Sequence, residues 1–192
     1  VAVWLSLTPE RLVDFYRLVG WTARWLSGGS LYGVDSDVDY PPWAIVLLSP
    51  LSLVPAAVAA PLWIACNLAL LILVARTLSR RAAHIVADDD LGRISLMFLL
   101  IAAGAMRTLN QFTLLSLALG VGGASGNGAL RPLWLGLSLI KPQIGGVFWV
   151  RAVWQRQWRL AGLALLVPLL LTVAYAWRAD VALTSVPASY AQ

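Results

Sequence analysis

Charged residues are sparse in this chain, and the stretches between them set the elements. Asp39 to Arg76 leaves 36 uncharged residues, Arg93 to Arg107 leaves 13, Arg107 to Arg131 leaves 23, and Arg159 to Arg178 leaves 18. Arg131 to Lys141 and Lys141 to Arg151 leave 9 each. A simple membrane-spanning helix needs about 20 apolar residues. Residues 108–130 and 160–177 meet that need, whereas 36 residues are too many for one helix. Pro55 and Pro61 divide the long stretch, because a proline inside a helix removes a backbone donor and clashes one turn back. Residues 43–54 are therefore expected to form a short helix in the interface, and 57–77 a full span.

Basic residues fix a direction. Arg76, Arg80 and Arg81 follow the 57–77 span and mark the cytoplasmic side. The alternation of spans then places residues 1–42, Arg107 to Gln111 and 179–192 outside. It places 78–92, 122–131 and 152–159 inside, the last with Arg151, Arg156, Arg159, Trp154 and Trp158 as a basic-aromatic belt. Residues 91–106 run outward and 111–124 back inward, and the glycine-rich run from Gly122 to Ala129 is expected to be the turn. In 132–154, two apolar pieces too short to span flank Lys141-Pro142. They are expected to form a hairpin with Lys141-Pro142 at its outer tip. Broken helices at membrane depth are tolerated only where they line a cavity or pack in protein.

The first 42 residues differ in kind. Leu12, Phe15, Tyr16, Val19, Ala23 and Leu26 fall on one helical face. Thr8 and Pro9 read as the helix start and Gly28-Gly29 as its stop. The expectation is an amphipathic helix on the outer membrane surface. An acidic loop follows, with Asp35, Asp37 and Asp39 ahead of Tyr40-Pro41-Pro42.

Composition removes the other broad classes. Of 192 residues, 60% are hydrophobic and 12% charged, and the mean hydropathy is +0.78. A soluble domain carries roughly 25% charged residues, so this chain cannot cover a soluble globule. The fold class expected is all-α, a multi-pass transmembrane helical bundle with an outer amphipathic helix (1–42) and a helical membrane region (43–192). The net charge of +5 belongs to the ends of apolar runs, so nucleic acid is not an expected partner. Cys66, within an apolar run, is expected to be core. The start Val1-Ala2-Val3 shows no signal-peptide pattern, and the chain is expected to be an internal stretch of a longer membrane protein.

Ionisable groups at membrane depth are costly and usually mark a site. Asp14, Arg107 and Lys141 stand out, and all three fall on the outer side. A carboxylate with two cations suits transfer from a phosphorylated donor: the cations hold the leaving phosphate and the carboxylate takes a proton from the acceptor. The bland readings are a solvated Asp14 and snorkelling Arg107 and Lys141. The Asp35, Asp37, Asp39 alternation fails as an EF-hand, since Tyr40 and Val46 stand where Gly and Glu are needed, which leaves a looser cation site there as the alternative to a solvated loop. His84 has no partner at metal-ligand spacing, and the glycine run follows no strand and lacks a following Lys. No metal or cofactor is expected.

Several motifs occur in order: Asp14-Phe15-Tyr16, Ser27-Gly28-Gly29-Ser30-Leu31-Tyr32, Tyr40-Pro41-Pro42-Trp43 and Leu51-Ser52-Leu53-Val54-Pro55. Leu62-Trp63, Asn67-Leu68-Ala69-Leu70, Asn110-Gln111-Phe112-Thr113 and Leu139-Ile140-Lys141-Pro142-Gln143 follow. The set resembles glycosyltransferase family 87, membrane enzymes of GT-C type. One departure is Thr113, where the family often carries Asn. The resemblance implies inverting transfer of a hexose, typically mannose, from a polyprenyl-phosphate donor to a lipid or glycan hydroxyl on the outer face of the plasma membrane. It implies Asp14 as general base. Arg107 and Lys141 are assigned to the donor phosphate from charge and depth, and Tyr16, Tyr40 and Gln111 to sugar hydroxyls. The basic belts would face anionic membrane lipid. The alternatives are a transporter or flippase subunit and a structural subunit. The discriminator is position: an enzyme needs Asp14 beside the cavity that holds Lys141.

Overall fold

The computed structural model describes residues 12–32, 38–82, 112–126 and 128–186. Every regular element among them is helical. They are α1 (Val13–Leu26), α2 (Pro42–Leu48) continued by a 3-10 turn (Ser49–Leu53), α3 (Ala56–Ala82), α4 (Thr113–Ser125), α5 (Arg131–Ser138), α6 (Pro142–Trp154) and α7 (Trp158–Arg178). Residues 83–111, with the expected 91–106 span, His84, Arg107 and Gln111, lie outside the described residues, as do Thr8, Pro9, Asp35 and Asp37.

Two helices among the described residues are long and apolar enough to cross a membrane, over Ala56–Val74 and Trp158–Arg178. Both expose large side chains such as Leu62, Leu73, Leu166 and Leu170, as lipid-facing helices do. Cys66 shares that exposure on α3, so it is not a core residue. An apolar run on a helix of this kind points partly outward, and membership of the run does not mean burial. The described part of α4 is only 13 residues, about 20 Å at 1.5 Å per residue, short of the roughly 30 Å hydrocarbon core. Gly122 to Ser125 also belong to α4 rather than to a turn, and the chain turns from Gly126. The glycines serve packing there: a Cβ at Gly123 would overlap the Leu135 backbone of α5.

The expected hairpin is present as α5 and α6 around Lys141. Lys141 is extended (φ −123°, ψ 91°), as a residue before proline must be, and Pro142 opens α6. Leu135 of α5, Ala152 of α6, and Ala161 and Ala164 of α7 form a small core. Small residues let helices approach closely in membranes. At Gly136 the approach is closest to α7, where an added Cβ would overlap the Ala164 carbonyl and the Val167 side chain. Gly136→Ala is expected to lower stability by about 1–3 kcal/mol, the usual cost of overpacking. Gly146→Ala, facing open space in α6, is expected to stabilise by up to about 1 kcal/mol through helix propensity. Thermal unfolding of both variants in detergent checks this, and equal melting temperatures would contradict the packing.

Helix α1 packs against the 3-10 turn, α2, α3 and α7, rather than lying on a lipid surface by itself. Its buried residues are Phe15, Leu18, Trp21, Thr22 and Trp25. Ala23 is exposed and Tyr16, Val19 and Leu26 are half-buried, so the inward face is rotated from the one the apolar pattern marked. The tryptophans decide the rotation. Trp25 Nε1 donates to the Tyr175 carbonyl at 3.2 Å, and its ring stacks on Tyr175 at 6.1 Å. Arg178 donates to the Leu26 carbonyl. These bonds fix α1 at the C-terminal end of α7. The helix stops as expected, with Gly28 at φ +91°, a left-handed value that glycine adopts without strain.

Candidate functional site

A cavity of about 410 Å³ opens between α1, the entry to α2 and the hairpin tip. From α1 it receives Asp14, Arg17 and Trp21, spaced i, i+3 and i+7 along one helical face. Asp39, Tyr40 and Pro41 line it from the chain entering α2, and Ile140, Lys141, Pro142 and Gln143 from the tip. The cavity thus gathers two carboxylates, two cations, a phenol and an amide.

The tip needs support because breaking a helix orphans its last carbonyls, and Pro142 supplies no N–H. Neighbouring side chains satisfy them. The Ser116 hydroxyl of α4 donates to the Ser138 carbonyl at 2.6 Å, and Trp43 Nε1 of α2 donates to the Leu139 carbonyl at 2.8 Å. Lys141 Nζ donates to Thr113 Oγ1 at 2.9 Å, so α4 holds both the backbone and the ammonium of the tip. The Asp14 carboxylate acts electrostatically on that ammonium.

Behind Tyr40 lies a buried aromatic stack. Tyr40 meets Phe112 edge-on with centroids 5.5 Å apart, Phe112 packs on Trp63 at 4.4 Å, and Trp63 stacks on Phe15 at 6.3 Å. Tyr32 donates its hydroxyl to the Tyr40 carbonyl at 2.6 Å, which holds Tyr40 in place. Burial pushes the Tyr40 pKa up to about 12, against a Phe112 backbone hydrogen bond and with help from the negative charges of Asp14 and Asp39. The phenol is therefore neutral at working pH and can both donate and accept. Its folded value lies above the unfolded value of 10.0, so its contribution to stability is complete below pH 10 and is lost as pH rises towards 12. A spectrophotometric titration of the parent against Tyr40→Phe is expected to reveal a phenol with a midpoint of about 12. A midpoint of about 10, the ordinary tyrosine value, would contradict the burial.

Of the residues singled out from sequence, the cavity brings together Asp14, Tyr40 and Lys141. Tyr16 lies beside it on α1, edge-on to Phe15 at 5.7 Å, and is not in the lining. Arg107 and Gln111 lie outside the described residues. Arg17, Thr113 and Gln143 were not singled out for a role, and Asp39 only as part of the acidic loop weighed for a cation. Arg17 is one turn beyond Asp14 on the same helical face, a spacing that becomes informative only once Asp14 is placed in the cavity. Thr113, noted as a departure from a family pattern, is the partner of Lys141. Among the described residues no three His, Cys, Asp or Glu side chains are grouped to hold a metal ion.

Chemically, Lys141 and Arg17 can neutralise a phosphate, a carboxylate can accept a proton, and the Trp21 and Tyr40 rings in the lining can cover the apolar face of a sugar ring. The volume falls in the usual 300–1,000 Å³ range of ligand sites. Neither a curated protein nor a solved structure matches the chain. The sequence model of glycosyltransferase family 87 matches residues 39–190. That range includes Tyr40, Thr113, Lys141 and Gln143, and begins after Asp14. Because the match covers most of the 192 residues, the chain belongs to glycosyltransferase family 87.

Proposed function

We propose that this glycosyltransferase moves a hexose, mannose in the first instance, from a polyprenyl-phosphate donor to a hydroxyl of a lipid or glycan acceptor. The protein would be a multi-pass bundle of GT-C type in the plasma membrane, with the Asp14–Lys141 cavity on the outer face. The observation that carries this reading is the meeting of Asp14 and Lys141 in one cavity, although the two are 127 positions apart in the chain.

The chemistry assigned to the residues is a single displacement. The acceptor oxygen attacks the anomeric carbon while Asp14 accepts its proton. The bond from the anomeric carbon to the phosphate oxygen breaks on the opposite face, so the configuration inverts. Lys141, held by Thr113, and Arg17 balance the charge on the departing polyprenyl phosphate. Arg107 is assigned to the same phosphate, and Tyr16, Tyr40 and Gln111 to sugar hydroxyls. Arg131, Arg151, Arg156 and Arg159 gather at the end away from the cavity, while Arg17, Arg24, Lys141 and Arg178 lie at the cavity end. Support for the outward orientation therefore comes from the further run Arg76, Arg80 and Arg81 at the end of the 57–77 span, which tips the Lys/Arg count to the side away from the cavity.

Membranes containing the full-length protein, given labelled polyprenyl-phosphate mannose and a hydroxylated lipid acceptor, are expected to form mannosylated product with inverted configuration. Binding of the donor without transfer, over a panel of mannose and glucose donors, would favour a transporter instead.

A further inference from the structure

At the other end of α7 a second cavity, of about 640 Å³, has no part in the transfer chemistry. It lies between the turn before α5 and the connection from α6 to α7. Helix α7 has 21 residues, so this end stands about 30 Å from the end that α1 caps. Arg131, Arg156 and Arg159 line the cavity, and among the described residues no carboxylate does.

The three cations are placed differently. Arg131 is half-buried and held, its Nε donating to the Gly123 carbonyl at 3.2 Å and its terminal nitrogen to Gln157 Oε1 at 3.1 Å. Arg156 forms the turn itself. It sits at φ 57°, and Gln157 N–H bonds the Ala152 carbonyl while Arg156 N–H bonds the Val153 carbonyl. This is a helix-ending motif in which the left-handed position normally falls to glycine. Here it carries a guanidinium. Arg159 lies in the first turn of α7, whose N-cap Gln157 makes no side-chain capping bond. The Gln157 side chain is engaged with Arg131 and Gln155 instead. The first backbone N–H groups of α7 therefore add their partial positive charge to the arginines.

The wall of the same cavity is apolar. Trp158, Leu160 and Leu163 line it, with Trp158 63% and Leu163 42% exposed. Along α7 the exposed Leu166 and Leu170 continue this strip. A soluble phosphate would need the arginines but not the strip, and a hydrocarbon chain would need the strip but not the arginines. Both needs belong to one molecule. We propose that this cavity binds an anionic glycerophospholipid, with its phosphate among Arg131, Arg156 and Arg159 and an acyl chain along Leu160 and Leu163.

The test uses the full-length protein in nanodiscs of phosphatidylcholine doped with phosphatidylglycerol, and native mass spectrometry to count retained lipid. The parent is expected to retain phosphatidylglycerol about 10-fold over its share of the bilayer. The Arg156→Gln/Arg159→Gln double variant changes exposed positions and is expected to lose that enrichment. Arg76→Gln/Arg151→Gln removes the same charge outside the cavity and is expected to keep it. Should the double variant fail to fold, Arg156→Gly, which relieves the left-handed strain, is expected to fold and to retain less phosphatidylglycerol than the parent. Equal enrichment in parent and variant would overturn the proposal. So would displacement of the lipid by glycerol phosphate at equal concentration, which would make the site one for a soluble phosphate. Binding of polyprenyl-phosphate donor at the other end is expected to be the same in all variants. The outcome is therefore independent of whether the transfer reading holds.

Discussion

Asp14→Asn is expected to lower sugar transfer by about 10²–10⁴-fold, the usual contribution of a general base. Asparagine keeps the size of the side chain and much of its hydrogen bonding but cannot accept a proton. Asp14 is half-buried on α1, and its neighbours Phe15 and Leu18 carry the packing of that helix, so expression and folding should be close to the parent's. Asp39 also lines the cavity, and Asp39→Asn therefore asks which carboxylate is the base. A drop for Asp39→Asn as large as that for Asp14→Asn would divide the role between them. Asp180 is the appropriate control, being exposed just past the C-terminus of α7 and outside the cavity lining. Its φ of 51° is one that asparagine tolerates, and Asp180→Asn should transfer sugar like the parent.

The second large effect belongs to Lys141. Removing a charged hydrogen-bond partner of a phosphate costs about 1.5–3 kcal/mol, which is roughly 10–100-fold in donor affinity. Lys141→Gln is expected to weaken donor binding in that range and to leave acceptor binding nearly unchanged. The tip itself should survive, because Trp43 and Ser116 hold its backbone independently of the ammonium. Lys141→Arg should recover only part of the affinity, since a planar fork replaces a compact ammonium. Thr113→Val removes the hydroxyl that accepts from Lys141 Nζ and should shift donor affinity in the same direction by less. Isothermal or spectroscopic donor titration checks the series. Unchanged donor affinity in Lys141→Gln would end its assignment to the phosphate.

Much of this architecture is readable from charge spacing. The run before Arg76 and the run from Arg159 to Arg178 are long, uncharged and apolar, and both became helices able to span. The Lys-Pro pair in the middle of apolar sequence marked the hairpin tip because proline forbids the helix to continue there. Other features depend on tertiary contacts that no local pattern holds. The inward face of α1 was misplaced because Trp21 meets Tyr40 ahead of α2 and Trp25 docks on Tyr175 of α7, and two tryptophans outweigh several smaller apolar residues. Gly122 and Gly123 read as a turn, yet they are helical because α5 needs the space above Gly123.

The cavity shows the same division. Asp14 and Lys141 were legible as charges out of place. Arg17 was not, because an arginine on a helix facing outward looks like any solvated residue until its face is known. Thr113 is an ordinary helix residue in sequence. Its role appears only when α4 lies against the tip and its hydroxyl stands 2.9 Å from the Lys141 ammonium.

The assignment at the centre of this reading is that one cavity holds the donor at Lys141 and the acceptor proton at Asp14. Following a single turnover separates holding from chemistry. Full-length protein is loaded with labelled polyprenyl-phosphate sugar, acceptor is added, and transfer of the bound label is timed. Asp14→Asn is expected to hold donor as tightly as the parent and to release its sugar about 10²–10⁴ times more slowly. Transfer of the bound sugar by Asp14→Asn at the parental rate would contradict it.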